Sequence, residues 1–186
     1  MSGMDEQGKL REKNPLRFVS AGYLRWTAYG LLLLLGALLQ MTPRLLPAVC
    51  GARPLLLVPL VVCIALFTGP MGGAAAGVAA GLLWDVFSER LFGFNALLLL
   101  VAGCACGLLV RLLLRNNLWT ALLLCAGAGL FQVLCDWFFN YALLAYERPF
   151  TVLAISYLPN LLYTLILSPL LYAMTYGVTK LLRNRQ

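Results

Sequence analysis

Six long apolar runs, separated by short polar breaks, leave this chain very few folds to choose from. They cover about residues 22–41, 54–68, 71–87, 92–114, 118–146 and 152–182. A helix needs roughly 20 apolar residues to cross the hydrocarbon core of a bilayer, and most of these runs are near or above that length. The chain is 62% hydrophobic and 11% charged, against about 25% charged in an ordinary soluble domain. The pattern therefore predicts an all-α integral membrane protein with six transmembrane helices over residues 21–186, preceded by a basic tail at 1–20. The first run follows that tail and lacks a small-residue cleavage pattern, so it reads as a retained membrane helix.

Charge gives the orientation. With both termini in the cytoplasm and six spans, the inner face receives Lys9, Arg11, Lys13, Arg17, Arg25, Arg111, Arg115, Lys180, Arg183 and Arg185. The outer face receives Arg44, Arg53, Arg90 and Arg148, together with Asp85, Glu89 and Glu147. That bias follows the positive-inside rule. Arg25 and Trp26 stand at the start of the first span, where interfacial anchors are expected.

The chain contains no histidine. This excludes Ser-His and Cys-His nucleophile pairs, histidine-bound zinc and histidine proton relays. Of the six cysteines, Cys63, Cys104, Cys106, Cys125 and Cys135 lie within apolar runs, where cysteine packs as a small hydrophobe. Cys104 and Cys106 fall on nearly opposite helix faces, a poor chelate and an impossible local disulfide. No cofactor and no metal site is expected.

Two rows of residues carry the remaining information. Gly73, Gly77 and Gly81 recur every fourth position, with Asp85 next in the row. On a helix they form a groove without side chains, of the kind that lets a second membrane helix approach backbone to backbone. The second helix can come from this chain (the run before, the run after or the last one) or from a partner. Asp85 is read as lying near the membrane surface, capping or anchoring its helix, pairing with Arg90, or facing a partner. Gly93 and Asn95 turn the chain back into the membrane. The tight Gly69-Pro70-Met71 connection makes the second and third runs a hairpin, and Pro59 falls inside the second. Further on, Gly103 and Gly107 form another small-residue pair.

The second pair of rows is polar. Gln132, Asp136 and Asn140 share one face of the fifth run. Ser156, Asn160, Thr164 and Ser168 share one face of the sixth, beside Pro159 and Pro169. A charge at the bilayer centre costs about 2.5–3.5 kcal/mol or more, so Asp136 needs partners. Gln132 and Asp136 are expected to face Asn160 and Thr164, as an interhelical hydrogen-bond cluster or as a site for a small solute or a proton.

The stretch from Arg53 to Leu97 resembles the MreD family of rod shape-determining membrane proteins. The resemblance rests on Arg53-Pro54, on the glycine-rich run ending G-L-L-W-D at Asp85, and on S-E-R-L-F-G-F-N-A-L from Ser88. Asp136 and Leu158-Pro159-Asn160 extend it. It implies a non-enzymatic membrane scaffold of the machinery that builds lateral peptidoglycan. The implied partners are MreC and, through MreC, MreB, the RodA glycosyltransferase and its transpeptidase; membrane lipid surrounds the chain and no nucleic acid is involved. That family is similar in fold to the substrate-binding subunits of energy-coupling-factor vitamin transporters. The alternative function is therefore a vitamin-binding subunit with a site at Gln132, Asp136, Asn140, Asn160 and Tyr163.

Overall fold

A computed structural model describes residues 15–42, 54–88, 92–112, 117–139 and 158–183. It is all-α over these residues. The elements are α1 (Pro15–Met41), α2 (Leu57–Phe87), α3 (Phe94–Leu112), α4 (Leu118–Trp137) and α5 (Leu158–Arg183). Among the described residues five helices are long and apolar enough to cross a membrane, where six separate spans were expected. The difference lies in α2, which joins the second and third apolar runs.

Within α2 the backbone breaks at Gly69, with φ 80° and ψ −170°, a region essentially confined to glycine. The chain reverses there. A Cβ placed on Gly73 would stand 2.6 Å from the Cβ of Ala65, although eight residues of straight helix would separate them by about 12 Å. Residues 57–68 thus form a first arm and residues 70–87 a second arm folded back along it. The first arm is only about 18 Å long at 1.5 Å per residue, short of the roughly 30 Å of a hydrocarbon core.

That first arm is the centre of the protein. Leu56 to Leu66 are all buried, most of them completely. A helix apolar on every side needs neighbours on every side. α1 supplies Gly36 against Leu60, α3 supplies Gly103 against Val61, and α5 supplies Tyr172 and Tyr176 against Phe67, with ring centroids 5.7 and 6.1 Å apart.

A short helix buried this deeply must satisfy its own orphan N–H groups. Side chains of two other helices do so. The Leu57 N–H donates to Gln40 Oε1 of α1 at 3.0 Å, and the Leu55 N–H donates to Thr164 Oγ1 of α5 at 2.9 Å. The arm starts at Leu57, three residues later than expected from the sequence, so Pro59 sits in the first turn. There its missing N–H breaks no helical bond.

One other boundary differs from the sequence reading. α1 begins at Pro15, inside the segment expected to be a polar tail; proline suits a first helical position because its φ is already helical. α4 runs as α-helix to Trp137 and α5 starts at Leu158. The expected continuation of the fifth run to Tyr146, Asn140, the start of the sixth run and most of the basic tail lie outside the described residues.

Candidate functional site: a glycine seam closed by a buried aspartate

The second arm of α2 and α3 meet in an antiparallel seam whose contacts are made largely by backbone. A Cβ on Gly73 would stand 3.0 Å from the carbonyl carbon of Gly103, and one on Gly77 would stand 2.6 Å from that of Leu99. One on Gly81 would stand 2.7 Å from the carbonyl carbon of Asn95, and one on Gly107 would stand 2.6 Å from the Pro70 nitrogen. Ordinary contact begins at 3.4 Å. The glycine row is therefore occupied along its length by α3 of the same chain, and the groove holds no room for a further helix. In a bilayer no hydrophobic force draws helices together, so association comes from close packing. Backbone approach of this kind is the tightest packing available.

Asp85 closes one end of the seam. It is 3% exposed. Its Oδ2 accepts from the N–H groups of Gly93 at 2.9 Å and Ala96 at 3.2 Å, and its Oδ1 from the N–H of Asn95 at 3.3 Å and from Asn95 Nδ2 at 2.9 Å. The side chain thus caps the N-terminus of α3 from another helix. It satisfies donors that α3 cannot pair internally, and it sits at the positive end of the α3 dipole. Gly93, with φ 95°, makes the turn that aims these N–H groups at the carboxylate. Of the readings open in the sequence, capping is the geometry found, though the helix capped is the next one. Arg90 lies outside the described residues.

The cap continues into a directed chain of amides. Because Asn95 donates its Nδ2 to Asp85, its Oδ1 points away and accepts from Gln132 Nε2 of α4 at 2.9 Å. Gln132 is 2% exposed, and its Oε1 has no hydrogen-bond partner. Three helical segments are tied by this line: the second arm of α2, α3 and α4. Asn95 is its middle member. The sequence showed Asn95 as a turn residue and gave no sign that it links α2 to α4.

The pairing expected between the polar faces of α4 and α5 is not what Gln132 and Thr164 do. Gln132 turns to Asn95. Thr164 accepts from Leu55 N–H and donates to the Asn160 carbonyl at 2.7 Å. Ser168 donates to the Leu165 carbonyl at 2.8 Å, which Pro169, lacking an N–H, leaves open. These hydroxyls repair backbone, a use that four-residue spacing alone does not reveal. Asp136 lies one turn beyond Gln132 and is half-buried.

Two cavities lie away from this line. One, of about 220 Å³, separates α3 from α4 and is floored by Ala102, Ala105, Cys106, Gly127 and Ala128. The other, of about 400 Å³, opens at the Gly69 turn. Neither is lined by Gln132, Asp136, Asn160 or Tyr163, so the solute-binding alternative gains no support from them.

The model of the family described as rod shape-determining protein MreD matches residues 21–184 of this chain. No curated protein and no solved structure matches it significantly.

Proposed function

Since the chain belongs to the MreD family of rod shape-determining proteins, we propose that it acts as a multi-pass membrane scaffold of the cell-wall elongation machinery. In this reading it binds MreC within the membrane and, through MreC, communicates with MreB, RodA and the transpeptidase to direct lateral peptidoglycan synthesis. The observation that carries the reading is the family match, which spans nearly the whole chain. The closely packed α2–α3 unit suits it: a rigid block can present one fixed surface to several partners.

The distribution of charge supports termini in the cytoplasm. Among side chains the structure describes, Arg25, Arg111 and Lys180 stand at the Gly69 end of the bundle, while Asp85 and Asp136 stand at the other. The positive-inside rule puts the Gly69 end in the cytoplasm, together with the start of α1 and the end of α5.

Co-purification tests the scaffold role. Co-expressed with MreC, the full chain is expected to leave neutral detergent with MreC at a fixed ratio, and its depletion is expected to abolish rod shape. Failure to associate in both detergent and lipid nanodiscs would overturn the reading. Bulky residues at Gly77 or Gly81 are unsuitable as docking probes, because both glycines face the backbone of α3 and their replacement disturbs folding first.

A further inference from the structure

Three described basic side chains share the Gly69 end of the bundle, and two of them are engaged. The Arg25 guanidinium lies 5.9 Å from the centroid of the Tyr29 ring, and Lys180 Nζ lies 6.0 Å from that of Tyr176. Arg111, in the last turn of α3, has no ion-pair, hydrogen-bond or ring partner among the described residues. Instead it lines the 400 Å³ cavity at the Gly69 turn, beside Thr68, Pro70, Leu66, Met71 and Val110.

The first arm of α2 ends at this turn and the second begins there, so their opposed terminal dipoles largely offset each other. Among the described residues, the one full charge facing the cavity is the guanidinium, which the partial negative charge at the C-terminus of α3 offsets only in part. Apart from Thr68, whose hydroxyl donates to the Ile64 carbonyl, the other lining side chains are apolar, and exposed apolar residues stand beside them: Met71 is 86% exposed, and Leu112, next to Arg111 in sequence, is 69% exposed. A site with one fixed cation and an apolar rim at a membrane surface matches an amphiphile with an anionic head. A free anion would leave the apolar part uncovered. A soluble acidic protein would meet methionine and leucine at bilayer level.

We propose that this cavity binds the phosphate of an anionic membrane phospholipid, with Arg111 as its counter-ion and with Met71 and Leu112 against the first carbons of its chains. Guanidinium groups pair with phosphate through two parallel hydrogen bonds, and basic pockets between membrane helices on the cytoplasmic side are suited to anionic headgroups.

The test is native mass spectrometry of the full chain in neutral detergent, titrated separately with phosphatidylglycerol, phosphatidylcholine and inorganic phosphate. Phosphatidylglycerol is expected to be retained over phosphatidylcholine by about fivefold or more, the worth of one basic residue near an anionic surface. Arg111→Gln is expected to remove that preference, Arg111→Lys to keep part of it, and Arg25→Gln to leave it unchanged. Val110→Trp, which narrows the cavity while keeping the charge, is expected to weaken retention of the lipid. Equal retention of the two lipids overturns the proposal, as does unchanged retention by Arg111→Gln or by folded Val110→Trp. Complete displacement of the lipid by millimolar phosphate, or by an acidic peptide, overturns it in favour of that ligand.

Discussion

Replacing Gly77 by alanine adds one methyl group where a neighbouring backbone leaves no room for it. The new Cβ would stand 2.6 Å from the carbonyl carbon of Leu99 and 2.9 Å from the Leu100 nitrogen. Both are backbone atoms of a continuous helix, so neither can swing aside. The Leu99 carbonyl oxygen is nearer still, so to restore 3.4 Å the two helices must part by about 1 Å, and a gap of that size forfeits about half of each dispersion contact. The seam includes Gly73, Gly81, Gly103 and Gly107, and all of them feel the separation. Overpacking of this kind costs about 1–3 kcal/mol. Alanine returns up to about 1 kcal/mol of helix propensity. Gly127 is the control: its Cβ would meet nothing within 4 Å, so Gly127→Ala keeps the propensity gain alone. The propensity gain is common to both, so the two variants should differ by about 1–3 kcal/mol, a factor of about five or more in the folded ratio. Titration with a denaturing detergent, followed by circular dichroism, measures it. Gly73→Ala combined with Gly103→Ala should cost less than the two single changes together, because the first substitution has already opened the seam. Equal midpoints for Gly77→Ala and Gly127→Ala would refute the argument that backbone contact holds α2 to α3.

Four other outcomes follow from the same geometry. Asp85→Ala strips four hydrogen bonds from the start of α3 and should destabilise by about 3 kcal/mol or more, at about 1.5 kcal/mol or more for each charged bond less relaxation; Asp85→Asn should recover part of this, and detergent-titration midpoints for the two report it. Gln132→Leu should cost about 1 kcal/mol or less, because it removes a buried acceptor that has no donor along with the bond to Asn95, whereas Asn95→Leu should cost more; the order of the two midpoints decides. Gln40→Leu and Thr164→Val each leave a buried N–H of the first arm without an acceptor and should each cost about 1–3 kcal/mol, with faster hydrogen exchange at Leu57 and Leu55 as the local readout. Gly69→Ala forces a side chain into backbone that only glycine adopts and should cost about 1–3 kcal/mol, seen as a lowered thermal midpoint and increased proteolysis at the turn.

Membrane insertion and helical class were legible from the apolar runs, because a bilayer tolerates exposed backbone nowhere and only helices or closed barrels satisfy it. The Gly73, Gly77 and Gly81 row announced a close helix contact, since a face without side chains has no other evident purpose. The reversal at Gly69 was equally visible in Gly69-Pro70. What the row faces was not legible. Whether α3 or a foreign helix fills it depends on the register that brings Gly103 opposite Gly73, and registers are set by all contacts together. The role of Asp85 was open for the same reason: Gly93 and two residues of the next helix had to be placed before its acceptors found donors.

The polar residues show the division most clearly. By itself the sequence determined that Gln132, Thr164 and Ser168 stand inside a membrane and must be satisfied there, since an unpaired polar group in hydrocarbon costs several kcal/mol. Only the tertiary structure decided with whom. Gln132 went to Asn95, Thr164 to an N–H left unpaired at the start of a half-length helix, and Ser168 to a carbonyl that proline had left open. Hydrogen bonds reach only about 3 Å, so the choice of partner belongs to how the helices are packed, and composition or spacing can state the need without naming what meets it.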